Sequence, residues 1–448
     1  MKKTLVLILC GLLAGFAAAW AWMNYVVPRW QRSAADNTYW PVVSRLDQGG
    51  EALAYFHAEE VVRTARELLA GLMRNVAVLP AERRSQALQG LDMLDMMFAE
   101  YGLEELSGIG FSSIAVRPGL HRVRAVFHHR PGRGKGLVWN MMGPAPRPLD
   151  ELDLLPQGTA LAFASDYNLF QLIEWMSRIV PKVVAKVPGA ATGPTPEQAM
   201  AMMKAGMQVV GIDYDRLRKS YGGSLGFLLS LDPEKRVLLP GKKKPLSIPE
   251  PAFALFLRVH DPYLFDTLKG KLTVTGHNKF SEAGGIRKIA FPRLPAPFPM
   301  EPVIVQKGAW LLAASRPELA EKVFSSSSPR LAGSDSFRLV RHKAPRRGNG
   351  FGYVDPLLPR LAAQALRENL SAVQPREALE RILAVLDKCP GMYWVLENTD
   401  QGLVYTFNHG LEISSLPGVI EALVQISAQR RKSHAPAAQG PQTSPGSL

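Results

Sequence analysis

The chain has 448 residues, 47% of them hydrophobic and 21% charged, a balance that supplies a buried core and excludes disorder over most of its length. The formal net charge is +14. The basic groups are scattered (Lys235-Arg236, Lys242-Lys243-Lys244, Arg338 to Arg347, Arg430-Arg431-Lys432) and come with no nucleic-acid-binding motif, which argues against nucleic acid as a partner. Only Cys10 and Cys389 are present, and Cys10 lies in an apolar run, so an intrachain disulfide is not expected.

Residues 1–27 are expected to form a single N-terminal transmembrane helix acting as a signal anchor. Thr4 to Val27 carries no charge behind Lys2 and Lys3, and about 20 apolar residues suffice to cross the hydrocarbon core. Trp20, Trp22, Tyr25 and Trp30 gather at its far end, where amphipathic rings favour the interface. The alternative is a cleaved signal peptide, with Ala17-Ala18-Ala19 or Ala19-Trp20-Ala21 as the cleavage site. Either way the bulk of the chain is expected outside the cytoplasm: a single-pass protein of the cytoplasmic membrane with a periplasmic body, or a secreted periplasmic protein. Arg29 and Arg32 oppose the orienting effect of Lys2 and Lys3. Leu9 stands before Cys10 where a lipidation site needs a small residue, so lipid attachment there is not expected. Gly11 and Gly15 have the spacing of a helix-pairing motif, but short signal-like segments are commonly rich in small residues.

Residues 28–45 read as a polar juxtamembrane linker. A helical plus β module is expected over 46–148. Val61, Ala65, Leu68, Leu72 and Val76 recur at helical spacing, and a second helix after Pro80 carries Leu88, Leu91, Leu94 and Phe98. Ile109 to Val116 and Val123 to His129 read as strands joined at Pro118-Gly119, with Leu137 to Met142 as a third.

From 149 to 429 one theme recurs: an apolar strand, a capping residue, then an amphipathic helix. Thr159–Ala164 leads to Asp166, Ala252–Val259 to Asp261, and Gly352–Val354 to Asp355. An aspartate carboxylate accepts the orphan N–H groups of a helix start. The three aspartates follow at intervals of 95 and 94 residues, which suggests an internal repeat. Ser315-Arg316-Pro317-Glu318 after Trp310–Ala314 has the spacing of a capping box. Further strands are expected at Leu225–Leu231, Met392–Leu396 and Leu403–Phe407, and helices at Arg376–Lys388 and around Val419 to Ile426. Residues 430–448, basic and without large apolar residues before Leu448, read as a disordered tail.

Several short passages fall in a familiar order: Leu155-Pro156-Gln157-Gly158-Thr159-Ala160, Gly211-Ile212-Asp213, Gly223 to Gly226, Ser315 to Leu319, and Leu331 to Phe337. Over roughly residues 150–357 this order resembles a widespread group of exported or membrane-anchored bacterial proteins carrying a domain of unknown function. The resemblance implies topology and architecture and brings no catalytic residues.

Chemistry-bearing motifs weigh less on inspection. Gly222-x-Ser224-x-Gly226 matches a nucleophile elbow, which needs a strand before the serine and a helix after it; here Tyr214–Tyr221 reads as helix and Leu225–Leu231 as strand. His128 and His129 are neighbours on a strand and point to opposite faces, so they do not share a metal ion. Cys389 lacks a visible histidine or cysteine partner and reads as a buried thiol. Gly132-x-Gly134-x-Gly136 and Gly348-x-Gly350-x-Gly352 look like phosphate loops but lack the lysine pattern and read as turns. Asp92 and Asp95 read as solvated helix charges. Met200, Met202, Met203 and Met207 suit an adaptable apolar surface, with core packing the expected role.

The chain is thus expected to be an α+β protein of antiparallel sheets with repeated strand–cap–helix units. The functional expectation is a membrane-anchored, non-catalytic binding or scaffold protein of the bacterial envelope, without metal or cofactor. Its expected partners are an envelope protein, anionic lipid or cell-wall polymer. The competing reading is an envelope hydrolase whose site is assembled from distant residues.

Overall fold

The computed structural model describes residues 38–75, 90, 92–93, 95–130, 132, 134–185, 194–240, 245–272, 278–369, 376–410, 417–418, 420–422 and 424–425. The expected membrane helix, Cys10, the Gly11/Gly15 pair, most of the linker, Val76, the start of the helix after Pro80 and the basic tail lie outside them. Among the described residues no helix is long and apolar enough to cross a membrane.

The protein is α+β, and its described residues build one antiparallel sheet of thirteen strands. In chain order the strands are β1 (Ala52–His57), β2 (Leu106–Arg117), β3 (Leu120–His129), β4 (Arg147–Pro148), β5 (Thr159–Asp166), β6 (Tyr221–Leu239), β7 (Leu246–Val259) and β8 (Lys279–Ala283). They continue with β9 (Ile286–Ala290), β10 (Val303–Lys307), β11 (Trp310–Ala314), β12 (Arg347–Gly348), β13 (Gly350–Val354), β14 (Met392–Thr399) and β15 (Gly402–His409). The sheet runs β1-β2-β3-β15-β14-β13-β5-β6-β7-β11-β10-β9-β8, and β4 pairs with β12 apart from it.

Three blocks of this order share one succession: a strand, a helical excursion, then a hairpin. They are β1 with β2 and β3, β5 with β6 and β7, and β13 with β14 and β15. The first and last meet through their third strands, β3 beside β15; the last and middle meet through their first strands, β13 beside β5. Residues 46–148, expected as a module of their own, therefore contribute β1–β3 to the common sheet.

The larger core lies on the sheet face that carries Ala162, Leu228, Phe256, Leu312, Phe351 and Tyr393. Residues 149–155 and the helices Pro317–Phe324 and Asp335–Val340 supply its other side through Leu155, Leu319, Leu331 and Phe337. The last four belong to the passages that carry the family resemblance, so those passages line a core. Phe337 is buried, and its ring meets Tyr353 and Tyr393 edge-on. Ser334 starts its helix by accepting from the Phe337 N–H.

By internal packing the chain divides into two units. One comprises Thr38–Leu361 and Pro390–Gly410 and holds the whole sheet. The other includes Ala362–Cys389, where Ala363, Leu379 and Leu383 pack with Leu366 and Leu386, and Arg367 pairs with Asp387.

Two of the three expected caps are present. Asp261 Oδ1 accepts from the Tyr263 N–H and Asp355 Oδ1 from the Leu357 N–H, each at 2.9 Å. The third is corrected. Asp166 stays in β5 and binds Arg147, while Asn168 caps the helix Leu169–Val184 by accepting from the Gln171 N–H. The Ser315 capping box does not form either, because the hydroxyl accepts from the Phe253 N–H of β7 at 3.0 Å and Arg316 occupies the N-cap. Leu137–Asn140 is a short helix instead of a strand, closed by Asn140 Nδ2 donating to the Gly134 and Gly136 carbonyls. The end of the expected linker is structured as well: Tyr39–Val43 is helical, and Val42, Val43 and Leu46 pack on Val126 and Val404.

Truncating a fully buried ring removes its transfer energy and leaves a cavity. Phe337→Ala is expected to destabilise the sheet unit by about 3–5 kcal/mol, read as a lowered urea midpoint at unchanged slope.

Candidate binding face

The opposite sheet face carries an unbroken apolar row. Following register partners from strand to strand, it runs Val123, Phe407, Trp394, Gly352, Phe163, Phe227, Leu255, Ala313, Ile304, Ile289 and Phe280. Side chains in register share a face because strand side chains alternate with period two. At one end the row is covered by the helix Tyr263–Leu272, with Phe265 against Ile289 and Leu311. Away from the row, on the same face, Trp139 and Ala58 pack with Leu396 and Leu403.

Beyond the helix Tyr263–Leu272 the apolar surface is open. Phe163 is 45% exposed, Leu225 40% and Leu255 53%. Phe163 and Phe227 stack with centroids 5.7 Å apart, and Trp394 leans on Phe407. Gly352 makes room for the indole: a Cβ there would lie 1.8 Å from Trp394. The helix that follows β5 adds exposed Leu169, Met176 and Val180, whose spacing puts them on one side of the helix. A contiguous exposed apolar surface of this kind marks an interaction site. No titratable group belongs to the row.

The elbow-like serine sits elsewhere. Helix Tyr214–Ser220 precedes it and β6 contains it, the order opposite to an elbow. Ser224 is on the core face, buried, and its Oγ donates to Glu151 Oε1 at 2.5 Å. Arg147 binds Glu151 and also donates through Nε to Asp166 at 2.9 Å. Burial pushes the Asp166 carboxyl up, and the Arg147 guanidinium opposes that shift. The hydroxyl is thus held by a carboxylate that a guanidinium already holds. This cluster pins residues 147–151 to β5 and β6, and it was not foreseen from sequence because Arg147, Glu151, Asp166 and Ser224 are dispersed.

His128 and His129 do not meet. His128 is buried with Nδ1 2.8 Å from Ser107 Oγ, and the His129 ring lies edge-on to Trp139 at 4.7 Å. The histidines that do meet are His121 and His409, register partners on β3 and β15 with rings 6.3 Å apart. Among the described residues no group of three or more His, Cys, Asp or Glu is arranged to hold a metal ion.

The two glycine runs have different causes. In the first, the N–H groups of Gly134, Lys135 and Gly136 converge on the Glu105 carboxylate at 3.0–3.2 Å. Backbone donors clustered in this way form an anion nest, so the likeness to a phosphate loop has a physical basis, and the chain's own carboxylate fills the nest. In the second, strand crowding demands glycine: a Cβ on Gly350 would lie 2.9 Å from the Ala164 carbonyl oxygen. Asp92 and Asp95 are exposed, and Cys389 is buried in the second unit. The methionines depart from their expected core role: the helix Pro196–Val209 buries no residue, and Met202 is 67% exposed.

Compared with known proteins, the chain matches no family model, no curated protein and no solved structure.

Two predictions follow from these contacts. Burial, the largest cause, holds His128 and His409 down at about 4, helped by Arg45 for His128 and by His121 for His409. An unfolded imidazole titrates near pH 6.5, so below that pH the unfolded chain takes up protons that the folded chain refuses. Stability should fall as pH drops from about 6.5 to about 4 and level off below; His128→Gln and His409→Gln should each flatten that slope in urea titrations. Glu105→Ala strands three backbone donors and is expected to cost about 1–3 kcal/mol, measured by the shift in the urea midpoint.

Proposed function

We propose that this chain is a non-catalytic binding or scaffold protein of the bacterial envelope, held at the outer side of the cytoplasmic membrane by Thr4 to Val27, with its open sheet face as the contact surface. The observation that carries the reading is the uncovered stretch of this apolar face, with Phe163, Leu225 and Leu255 exposed beyond the end that the helix Tyr263–Leu272 covers. Such a surface is costly in water and is favoured when a partner removes it from solvent. Its occupant is an apolar group of an envelope component: an acyl chain, or the apolar side of a protein. Each of the three strand, helical excursion and hairpin blocks adds width to the face; these blocks do not follow the interval of the aspartates, since Asp166 ends and Asp355 follows the first strand of its block, whereas Asp261 comes after a third. The family resemblance over residues 150–357 enters the same proposal through Leu155, Leu319, Leu331 and Phe337, which build the core beneath that sheet.

The test uses the full chain in its native membrane, with Phe163→Asp and Leu255→Asp combined. Pull-down and lipid overlay should show loss of the envelope lipid or protein captured by the wild type, at an unchanged unfolding temperature. Equal capture by both proteins removes the sheet face from the proposal. Reporter fusions after residue 45 that are active only in the cytosol remove the envelope.

A further inference from the structure

The last strand of the sheet carries a second site, independent of the apolar row and of where the protein resides. β8 and β9 are joined by Gly284-Gly285, both at positive φ (58° and 74°), the signature of a two-residue type I′ hairpin. That turn makes Ala283 and Ile286 a hydrogen-bonded pair, and the antiparallel ladder then alternates. Ser281 and Lys279 therefore bond to β9, while Phe280 and Glu282 direct their N–H and C=O groups away from it. Among the described residues β8 has no strand on that side.

A cleft of about 490 Å³ opens on the core face of this edge. Its floor is Ser281, Ala283, Ile286, Lys288, Val305 and Lys307. All six lie on one sheet face by register, Ser281 opposite Lys288 opposite Val305. The wall is the helix Pro317–Phe324, through Ala320, Glu321 and Phe324. Lys307 donates to the Phe324 carbonyl at 2.8 Å. Among the described residues the half-buried Lys288 ammonium has no hydrogen bond or ion pair, and Lys279 shares its face at the open edge. Glu321 is the one acidic residue lining the cleft.

We propose that β8 and this cleft receive an extended acidic peptide segment as a fourteenth strand. The backbone of the incoming strand pairs with the outward groups of Phe280 and Glu282. Strand side chains alternate, so every second one faces the cleft, where a carboxylate meets the long Lys288 side chain. This is strand addition, in which main-chain bonds give affinity and the side-chain pocket gives specificity. Lysine on a short edge strand deters neutral strands from pairing, and the same charge favours an acidic one.

The test measures binding of a fluorescein-labelled heptapeptide alternating valine and glutamate to the full chain, with its valine–lysine counterpart as control. Glu282→Pro removes one outward N–H and leaves the β8–β9 bonds, since the Glu282 donor is not part of them; Glu282→Ala controls for the lost carboxylate. Saturable binding of the acidic peptide alone is expected. It should be abolished by Glu282→Pro, retained in Glu282→Ala, and weakened about tenfold by Lys288→Gln, a loss of about 1.4 kcal/mol. The proposal is overturned by no saturable binding up to about 1 mM, by equal binding of the lysine peptide, or by indifference to both Glu282→Pro and Lys288→Gln. A full chain that self-associates through this edge, monomeric as Glu282→Pro and not displaced by the peptide, overturns it in favour of a second copy.

Discussion

Every buried backbone N–H and C=O needs a partner, and in this molecule that demand is met across one joint. β13 is five residues long, yet it bonds to β14 on one side and β5 on the other. Without it the sheet would divide into two halves, each with a new open edge inside the core. The joint is tight: Gly350 faces the Ala164 carbonyl oxygen and Gly352 faces the Trp394 ring, neither with room for a methyl group. Asn349 extends it, donating to the Gly143 and Ala145 carbonyls while accepting from the Asn398 N–H. A run that looks like a phosphate loop in sequence is the seam of the sheet.

The sheet separates two roles by face. One face is closed by residues 149–155 and the helices Pro317–Phe324 and Asp335–Val340, and carries the larger core. The other is covered by the helix Tyr263–Leu272 at one end and exposes Phe163, Leu225 and Leu255 beyond it. A surface of this kind lowers solubility, and the helix after β5 also exposes Leu169, Met176 and Val180. Ser224, Glu151, Arg147 and Asp166 bond to one another and tie residues 147–151 to the sheet.

The strands were legible in the sequence because alternation is local: Thr159–Ala164, Leu225–Leu231, Ala252–Val259 and Trp310–Ala314 all lie within strands of the sheet. The caps at Asp261 and Asp355 were legible for the same reason, since donor and acceptor sit two residues apart. Asp166 and Ser315 were misread because a distant group competed and won: Arg147 for the carboxylate, the Phe253 N–H for the hydroxyl. The apolar row was not legible at all. Val123 and Phe407 become neighbours only through the register of β3 with β15, and no local pattern encodes which strands lie side by side. The exposure of Met202 escaped for a related reason, since residue type alone does not reveal which side of a helix is left uncovered.

The Glu105 carboxylate occupies the glycine nest as a ligand supplied by the chain itself. A tethered group acts as though present at an effective concentration of order millimolar. Free phosphate, sulfate or a nucleotide would have to displace a competitor that cannot diffuse away. The nest is thereby screened from the anions around it, and the same attachment fastens residues 103–105 to the loop at 134–136.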